Sequence, residues 1–524
     1  MTKKLLWIAA FGLILFASIS ARLWTLELRS VHADEAEQAA TFMKLYEGGE
    51  YSYNPQGPHG PALYYWSLLS EKLLRAAGLN PNCDETLNGD AKPDIHSLRT
   101  GLALVFVLIC AALASFYRLY GAGTTLGAAF CFGASSLSII YSGYYVHEII
   151  FALWVFLLLN AVWLFINAPS ARRALFAGVC AGMCQITKET SVLAFAALFL
   201  AAAPFAGFTS KNAAERFKEL CGKRGNYLLA GAAAFALIFI IFYSSAGTHF
   251  KGVTDAFASY GHFFEKSAEA AHAKEFSYYF KLLFFEKSGG VIFGEGLITI
   301  LAAIGLIFAF RSADERARYF KFAALFAAAN LLILSIIPYK MPWLLLSPML
   351  VICVLAGGGA AALLSVKKFW LRGIFAAALA GAALAQISLA RKSAQVYHSD
   401  PRNPFISVHT VPDFKNLIER IQKCAQVSEY KKDIPVCFYG GHSPWPLPWF
   451  LRDYPNAGFW TPQNPPQSLD VFEIIICDPA SAPALENILG AKRTAWHIST
   501  YGLRPNLILT VYIKKELFEK SIEQ

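Results

Sequence analysis

The 524-residue chain is 56% hydrophobic and 15% aromatic, with only 16% charged residues and a net charge of +10. Charge this sparse, with the apolar residues gathered in long blocks, excludes a soluble globular core. The basic excess follows the topology of those blocks, so it is no footprint of nucleic acid.

Blocks of about 18 or more residues with few charges read as membrane-spanning helices. About eleven are present, over roughly 5–24, 99–117, 125–143, 149–167, 174–188, 191–208, 228–246, 291–310, 319–337, 343–364 and 371–390. With a cytoplasmic N-terminus and alternating helices, one set of loops collects Lys3-Lys4, Arg172-Arg173, Lys223-Arg224, Arg316, Arg318 and Lys367-Lys368. That distribution satisfies the positive-inside bias and places the C-terminus outside, in a cell inner (plasma) membrane protein. Lys3-Lys4 ahead of an apolar run also fits a signal peptide, with Ile19-Ser20-Ala21 as a poor cleavage site. Removing the first span would break the charge agreement of the other ten.

Residues 25–98 form a long external loop. Its polar-apolar period predicts a helix over 35–47, ended by Gly48-Gly49. A turn-rich passage, Tyr53 to Pro61, leads into an amphipathic helix over 62–79 that starts with Tyr64, Tyr65 and Trp66. Such aromatics suit the lipid headgroup layer. A second external loop, 247–290, predicts one or two interfacial helices up to Gly289-Gly290. From 395 onward the composition changes: helical period over 411–426, strand-like runs over 434–439, 471–477 and 507–513, and a proline-rich loop between them. The expected organisation is a transmembrane domain over 1–394 and a small external (periplasmic) α/β domain over 395–524.

Candidate chemistry concentrates near the predicted outer ends of the helices. Asp34 and Glu35 follow the first span, and acidic pairs at a membrane face are expensive to desolvate. Their bland alternative is a helix start, with Asp as cap and Glu in the first turn. Lys188 lies between apolar stretches, where a lysine is costly unless it meets an anion; snorkelling or a local pair with Glu189 is the plain alternative. Lys340 occupies a similar helix end beside Tyr339 and Trp343, where interfacial anchoring competes with phosphate binding. His147-Glu148 is the other charged pair near the membrane, and an exposed turn is its ordinary reading. Five of the ten cysteines sit inside apolar blocks, while Cys424 and Cys437 lie in the external domain, where a disulfide between them is open.

Four stretches together resemble the C-type (GT-C) glycosyltransferases: His32-Ala33-Asp34-Glu35, Gly57-Pro58-His59-Gly60-Pro61-Ala62-Leu63-Tyr64-Tyr65-Trp66, Thr187-Lys188-Glu189-Thr190 and Tyr339-Lys340-Met341-Pro342-Trp343-Leu344. The likeness covers roughly 1–390 and is strongest to the protein mannosyltransferase and lipid A aminoarabinose transferase branch, including a subgroup described as flippase-activity-associated. The resemblance implies an inverting transfer of sugar from a polyprenyl-phosphate-linked donor to a hydroxyl on a protein, lipid or glycan. It places Asp34 as general base, with Glu35 holding the acceptor or tuning Asp34, and it implies cations for the lipid phosphate, for which Lys188 and Lys340 are the candidates. Glu148, His59 and Tyr64 are its candidate substrate contacts; Gly60 directly precedes Pro61 where some relatives carry a basic residue, which weakens the case for His59. No cofactor is required, although Asp34, Glu35, Glu148 and nearby histidines could hold a divalent cation. The competing readings are a lipid or glycan flippase component and a non-catalytic subunit of a glycan-assembly complex; the inverted repeats of transporters are not seen.

Overall fold

Every apolar block of the sequence contains a helix in the structure, a computed structural model that describes residues 2–57, 59–79, 83–85, 91–207, 213–267 and 272–523. Among these residues, seven helices are long and apolar enough to cross a membrane: Lys3–Thr25, Ile95–Ser115, Glu148–Asn167, Arg224–Tyr243, Glu315–Ile336, Pro342–Leu364 and Phe369–Val396. Shorter apolar helices, Ala122–Gly133, Ser191–Ala202 and Gly296–Phe310, accompany them, together with Ala171–Thr187. The protein is a multi-pass membrane protein. It forms two compact units, one of Met1–Leu26, Thr41–His398 and Arg402–Phe405, the other of Glu27–Ala40, Ser399–Pro401 and Ile406–Gln524.

In the helical unit, Leu346–Leu364 is central and its first fourteen residues are buried. It packs on Ala122–Gly133 through glycine: a Cβ on Gly357 would lie 2.4 Å from the Thr124 carbonyl oxygen, and one on Gly127 would lie 2.7 Å from the Gly357 Cα. Small residues let helix backbones approach where lipid removes the hydrophobic drive for association. Thr2–Thr25, Ala213–Tyr243 and Phe369–Arg391 are peripheral and expose Phe16, Trp24, Leu229 and Leu384, as a lipid-facing surface would.

The block 125–143 does not form one helix. Ala122–Gly133 stops, and Ser136–Tyr141 starts afresh after Ser135. A break inside an apolar bundle frees backbone groups that must find other partners. Arg22, fully buried, donates to the carbonyls of Phe132 and Gly133 at 3.3 and 3.2 Å and to the Ser138 hydroxyl at 2.6 Å, with Phe106 under its guanidinium. On the other side, the buried Glu295 carboxylate accepts from the Leu137 N–H and the Ser135 hydroxyl, both at 2.9 Å.

The two long loops follow their turn chemistry. Helices Ala33–Gly48 and Ala62–Ala76 flank the turn-rich passage, whose Pro58 lies outside the described residues. In the second loop, Lys251–Ser267 and Tyr278–Leu283 are helical, and Gly289-Gly290 makes the turn of a hairpin between Glu286–Ser288 and Val291–Phe293.

In the second unit, a five-stranded sheet runs Ala457–Trp460, Val436–Tyr439, Ile474–Cys477, Leu507–Lys514, Trp496–Arg504. The first three strands are parallel and the last two pair antiparallel. The helix Phe414–Val427 buries Leu417, Ile418, Ile421 and Cys424 against one face of this sheet. Ala457–Trp460 and Trp496–Arg504 go beyond the strands expected from sequence. The first is a short edge strand containing Gly458, and the second mixes polar and apolar residues without alternation.

The structure does not form the Cys424–Cys437 disulfide; both thiols are free and buried. Cys424 packs with Leu417, Val436 and Phe438, whereas Cys437 packs with Tyr439, Ile475 and Cys477. Successive strand residues face opposite sides of a sheet, so the sheet itself separates the two sulfurs. Mass spectrometry of the unfolded, alkylated, non-reduced protein is therefore expected to find both cysteines alkylated; a linked Cys424–Cys437 peptide would contradict this packing.

Candidate functional site

Helix polarity brings the charged residues of the helical unit together. Glu148 begins Glu148–Asn167, while Lys188 directly follows the last residue of Ala171–Thr187 in an extended conformation. The two helices are joined by a short connection, so the start of one meets the end of the other. Lys188 Nζ donates to Glu148 Oε1 at 2.5 Å, with the side chains only 3% and 5% exposed. Each charge also suits its helix end, the carboxylate at an N-terminus and the ammonium at a C-terminus. Lys188 therefore neither snorkels nor pairs with Glu189, and Glu148 is not an exposed turn residue.

Glu189 belongs instead to the turn-rich passage. His59 Nδ1 lies 2.8 Å from Glu189 Oε1. Burial pushes the Glu189 carboxyl up, but the positive charges of His59 and Lys188 override it and hold it at about 2. His59 sits at φ 49°, a backbone region that side chains rarely adopt. Beside it, Gly60 N–H donates to the Thr187 carbonyl at 3.3 Å, and a Cβ on Gly60 would lie 2.2 Å from the Ile186 carbonyl oxygen. Only glycine permits this approach.

His147 locks the same turn from the other side. Its Nε2 donates to the Gly60 carbonyl at 2.9 Å, which leaves Nδ1 as a buried acceptor without a partner among the described residues. Burial, aided by the nearby His59 charge, pushes the ring well below the ordinary histidine range. The ring meets His59 and Tyr64 edge-on at centroid distances of 5.1 and 5.9 Å. Tyr64 is fully buried and packs on Tyr51, at 5.2 Å. Within the described residues Tyr64 is thus a wall of this cluster, reached through His147.

Lys340 occupies a different niche. It is 1% exposed, and its Nζ donates to the carbonyls of Ile337 at 2.6 Å and Lys274 at 3.0 Å. The ammonium ties two loop backbones together. A cleft nearby is lined by Glu148, Lys188, Thr190, Asn330, Trp343 and Ser347, among others.

Asp34 and Glu35 fold with the second unit. The helix Ala33–Gly48 carries both in its first turn. Glu35 is fully buried, and its Oε2 accepts from the His32 N–H at 2.9 Å, the reach-back half of a capping box. His32 Nδ1 accepts from the Asp34 N–H at 3.1 Å, so its Nε2, 2.9 Å from the Ser407 carbonyl, carries the proton. The 3.9 Å separation between His32 Nδ1 and Asp34 Oδ2 is then no ion pair, and the Asp34 side chain stays 46% exposed. Burial lowers the Arg504 guanidinium below its ordinary range and the negative charge of Asp34 opposes that shift, which makes Arg504 a cation in whose field Asp34 lies. Among the described residues no group of three or more His, Cys, Asp or Glu is placed to hold a metal ion.

Sequence reasoning named His147 and Glu189 only as neighbours of Glu148 and Lys188, named Thr190 only within the stretch Thr187-Lys188-Glu189-Thr190, and passed over Asn330. Asn330 did carry a signal, as a lone amide deep in an apolar block.

Two measurements check this cluster. His147 and Glu189 are both depressed, so both add stability that acid removes: His147 as pH falls below about 6.5, Glu189 as it falls from about 4.5 toward 2. The thermal midpoint is expected to fall between pH 7.5 and 5, and His147→Gln, which keeps a donor for Gly60, to flatten that fall. Breaking the buried pair by Glu148→Gln should cost about 3–5 kcal/mol, and the double variant Glu148→Gln/Lys188→Met much less than twice that. Additive losses would show that the two charges are not coupled.

No protein-family model and no curated protein matches the sequence. Solved structures do match in fold. ArnT from Cupriavidus metallidurans bound to undecaprenyl phosphate aligns with a TM-score of 0.61 at 13% identity, covering 95% of this chain and 97% of that one. The same protein in its apo state aligns with a TM-score of 0.60 at 15% identity and the same coverage. The chain therefore shares the overall fold of that polytopic membrane protein, with a small C-terminal sheet region, along nearly its whole length.

Proposed function

We propose that this protein is an integral membrane glycosyltransferase that moves a sugar from a polyprenyl-phosphate-linked donor to a hydroxyl acceptor on the external face of the membrane, with inversion. The observation that carries this reading is the near-complete fold match to a protein crystallised with undecaprenyl phosphate. The buried charges at one end of the bundle supply the residues such a reaction would use.

The acceptor oxygen attacks the anomeric carbon from the face opposite the phosphate, the bond from carbon to phosphate oxygen breaks, and the polyprenyl phosphate departs with the bonding electrons. The acceptor proton must go to a base, and we assign it to Asp34, whose carboxylate is half-exposed while its backbone is fixed by His32. Glu35 is committed to the helix start, so its role is to position Asp34. The developing charge on the lipid phosphate calls for a cation. Lys188 fits better than Lys340, whose ammonium already serves two carbonyls. Glu148 is the natural contact for sugar hydroxyls once Lys188 turns to phosphate; His59, Gly60 and Tyr64 shape the wall beside them. A divalent cation has no assigned place in this scheme.

The test is transfer by the full-length protein in proteoliposomes supplied with polyprenyl-phosphate-linked sugars. Asp34→Asn is expected to lower the rate roughly a hundred- to ten-thousandfold with the thermal midpoint unchanged. Wild-type rates in that variant would remove Asp34 from the chemistry. Lipid translocation without any sugar transfer would favour a flippase component instead.

A further inference from the structure

Asn330 stands in the middle of an otherwise apolar stretch of the helix Glu315–Ile336. It is 3% exposed, and its Nδ2 has no hydrogen-bond partner among the described residues. Thr190, directly before the helix Ser191–Ala202, is 8% exposed, and its hydroxyl is also unpartnered. Polar groups buried without partners lower the stability of a fold, and inside a membrane such groups are functional-site candidates by default.

Both residues line the cleft that contains Glu148 and Lys188. Ser347 adds a second hydroxyl, while Leu193 and Trp343 supply apolar wall. The cleft holds ≈ 360 Å³ of empty space, mouth included. With Glu148 and Lys188 closed on each other, its interior has room for about one water molecule. A larger occupant has to part the pair. An anion can do so, because it offers Lys188 a replacement for the carboxylate. The freed Glu148 then needs hydroxyl or amine donors, and Asn330 Nδ2 and Thr190 need acceptors. A phosphate-linked monosaccharide brings all three: the anion, ring hydroxyls that donate, and ring oxygens that accept.

We propose that Asn330 and Thr190 read the sugar of the donor in this cleft, and that the Glu148–Lys188 pair closes it until a phosphate-linked sugar exchanges its own groups for that bond. This deepens the transferase reading and rests on it for the identity of the ligand. Discrimination comes from the amide and the hydroxyl, since a site built to bond a particular oxygen rejects an analogue that leaves its buried donor unpaired.

Asn330→Leu and Thr190→Val keep the side-chain shapes and remove the unpartnered atoms. The measurement is thermal-shift titration of the full-length variants with polyprenyl phosphate alone and with polyprenyl phosphate carrying mannose, glucose or 4-aminoarabinose. For the sugar bound most tightly by the wild type, each substitution is expected to weaken affinity roughly ten- to a hundredfold, to leave bare polyprenyl phosphate unchanged, and to leave the ligand-free midpoint equal or higher. A lowered midpoint with unchanged sugar binding would overturn the proposal and assign the two atoms to a buried structural water. Equal weakening of sugar-bearing and bare lipid would also overturn it, in favour of a phosphate contact. A wild-type protein that binds a sugar donor, loses it on substitution and yet transfers nothing would sink the transferase reading and leave the cleft assignment standing.

Discussion

The bond between Lys188 and Glu148 is the constraint around which the helical unit is arranged. An ammonium in an apolar bundle is tolerable only against an anion, and here the anion is fixed at the first residue of a neighbouring helix. Lys188 can reach it only by leaving the helix in an extended conformation, which ends Ala171–Thr187 at that point. The next residue, Glu189, is thereby turned toward His59, and the turn at His59 and Gly60 is pressed onto the Ile186 and Thr187 carbonyls so closely that glycine is obligatory. His147 then closes the arrangement from behind Gly60. One ion pair thus fixes a helix end, a loop and a turn that are far apart in sequence.

The acidic pair after the first span obeys a different constraint. Its helix begins where His32 is held by Ser407, so the geometry at Asp34 depends on a carbonyl 375 residues away. Glu35 commits its carboxylate to the backbone of His32 and is sealed from solvent. The capping reading and the catalytic reading of Asp-Glu therefore divide between the two residues: the cap is Glu35, and the accessible carboxylate is Asp34. A motif of two adjacent acids gives two environments because adjacent helical residues face about a hundred degrees apart.

Hydrophobic blocks were enough to read most of the helical architecture. The alternation that put Glu148 and Lys188 at one membrane face is what the ion pair requires. The partners themselves were not legible. Lys188 has a carboxylate next to it in sequence, and nothing local says that Glu189 turns away to His59 while Glu148, forty residues earlier, takes its place. The break at Ser135 was hidden for a similar reason: 125–143 is apolar throughout, and the groups that stabilise the break, Arg22 and Glu295, come from helices that sequence pattern treats as independent. In the second unit, short apolar runs revealed the buried strands but missed both edge strands, whose largely half-buried residues carry little periodic signal.

Departures from local preference occur at several places in the helical unit, among them the positive φ of Ser245 and Ala246 and the unpartnered Ser136 hydroxyl and Gln386 Oε1, but one group of them is concentrated. The left-handed backbone at His59, the extended residue Lys188, the orphaned acceptor of His147 and the unpartnered atoms of Thr190 and Asn330 all fall on the elements that meet at the Glu148–Lys188 end. Helix packing elsewhere in the unit includes glycine against backbone and aromatic against aromatic, and some buried polar groups there find partners in the chain, as the hydroxyls of Tyr120 and Tyr319 do at Asn160. Asn160 shows that this sequence can satisfy a buried amide within the bundle where packing alone is required. Its Nδ2 donates to the Phe156 carbonyl and its Oδ1 accepts from both tyrosines. Asn330, equally buried, has been given no such partner for its Nδ2 among the described residues. Since an unsatisfied donor weakens the fold for no packing gain, its persistence at the cleft is best accounted for by an acceptor that arrives from outside the chain.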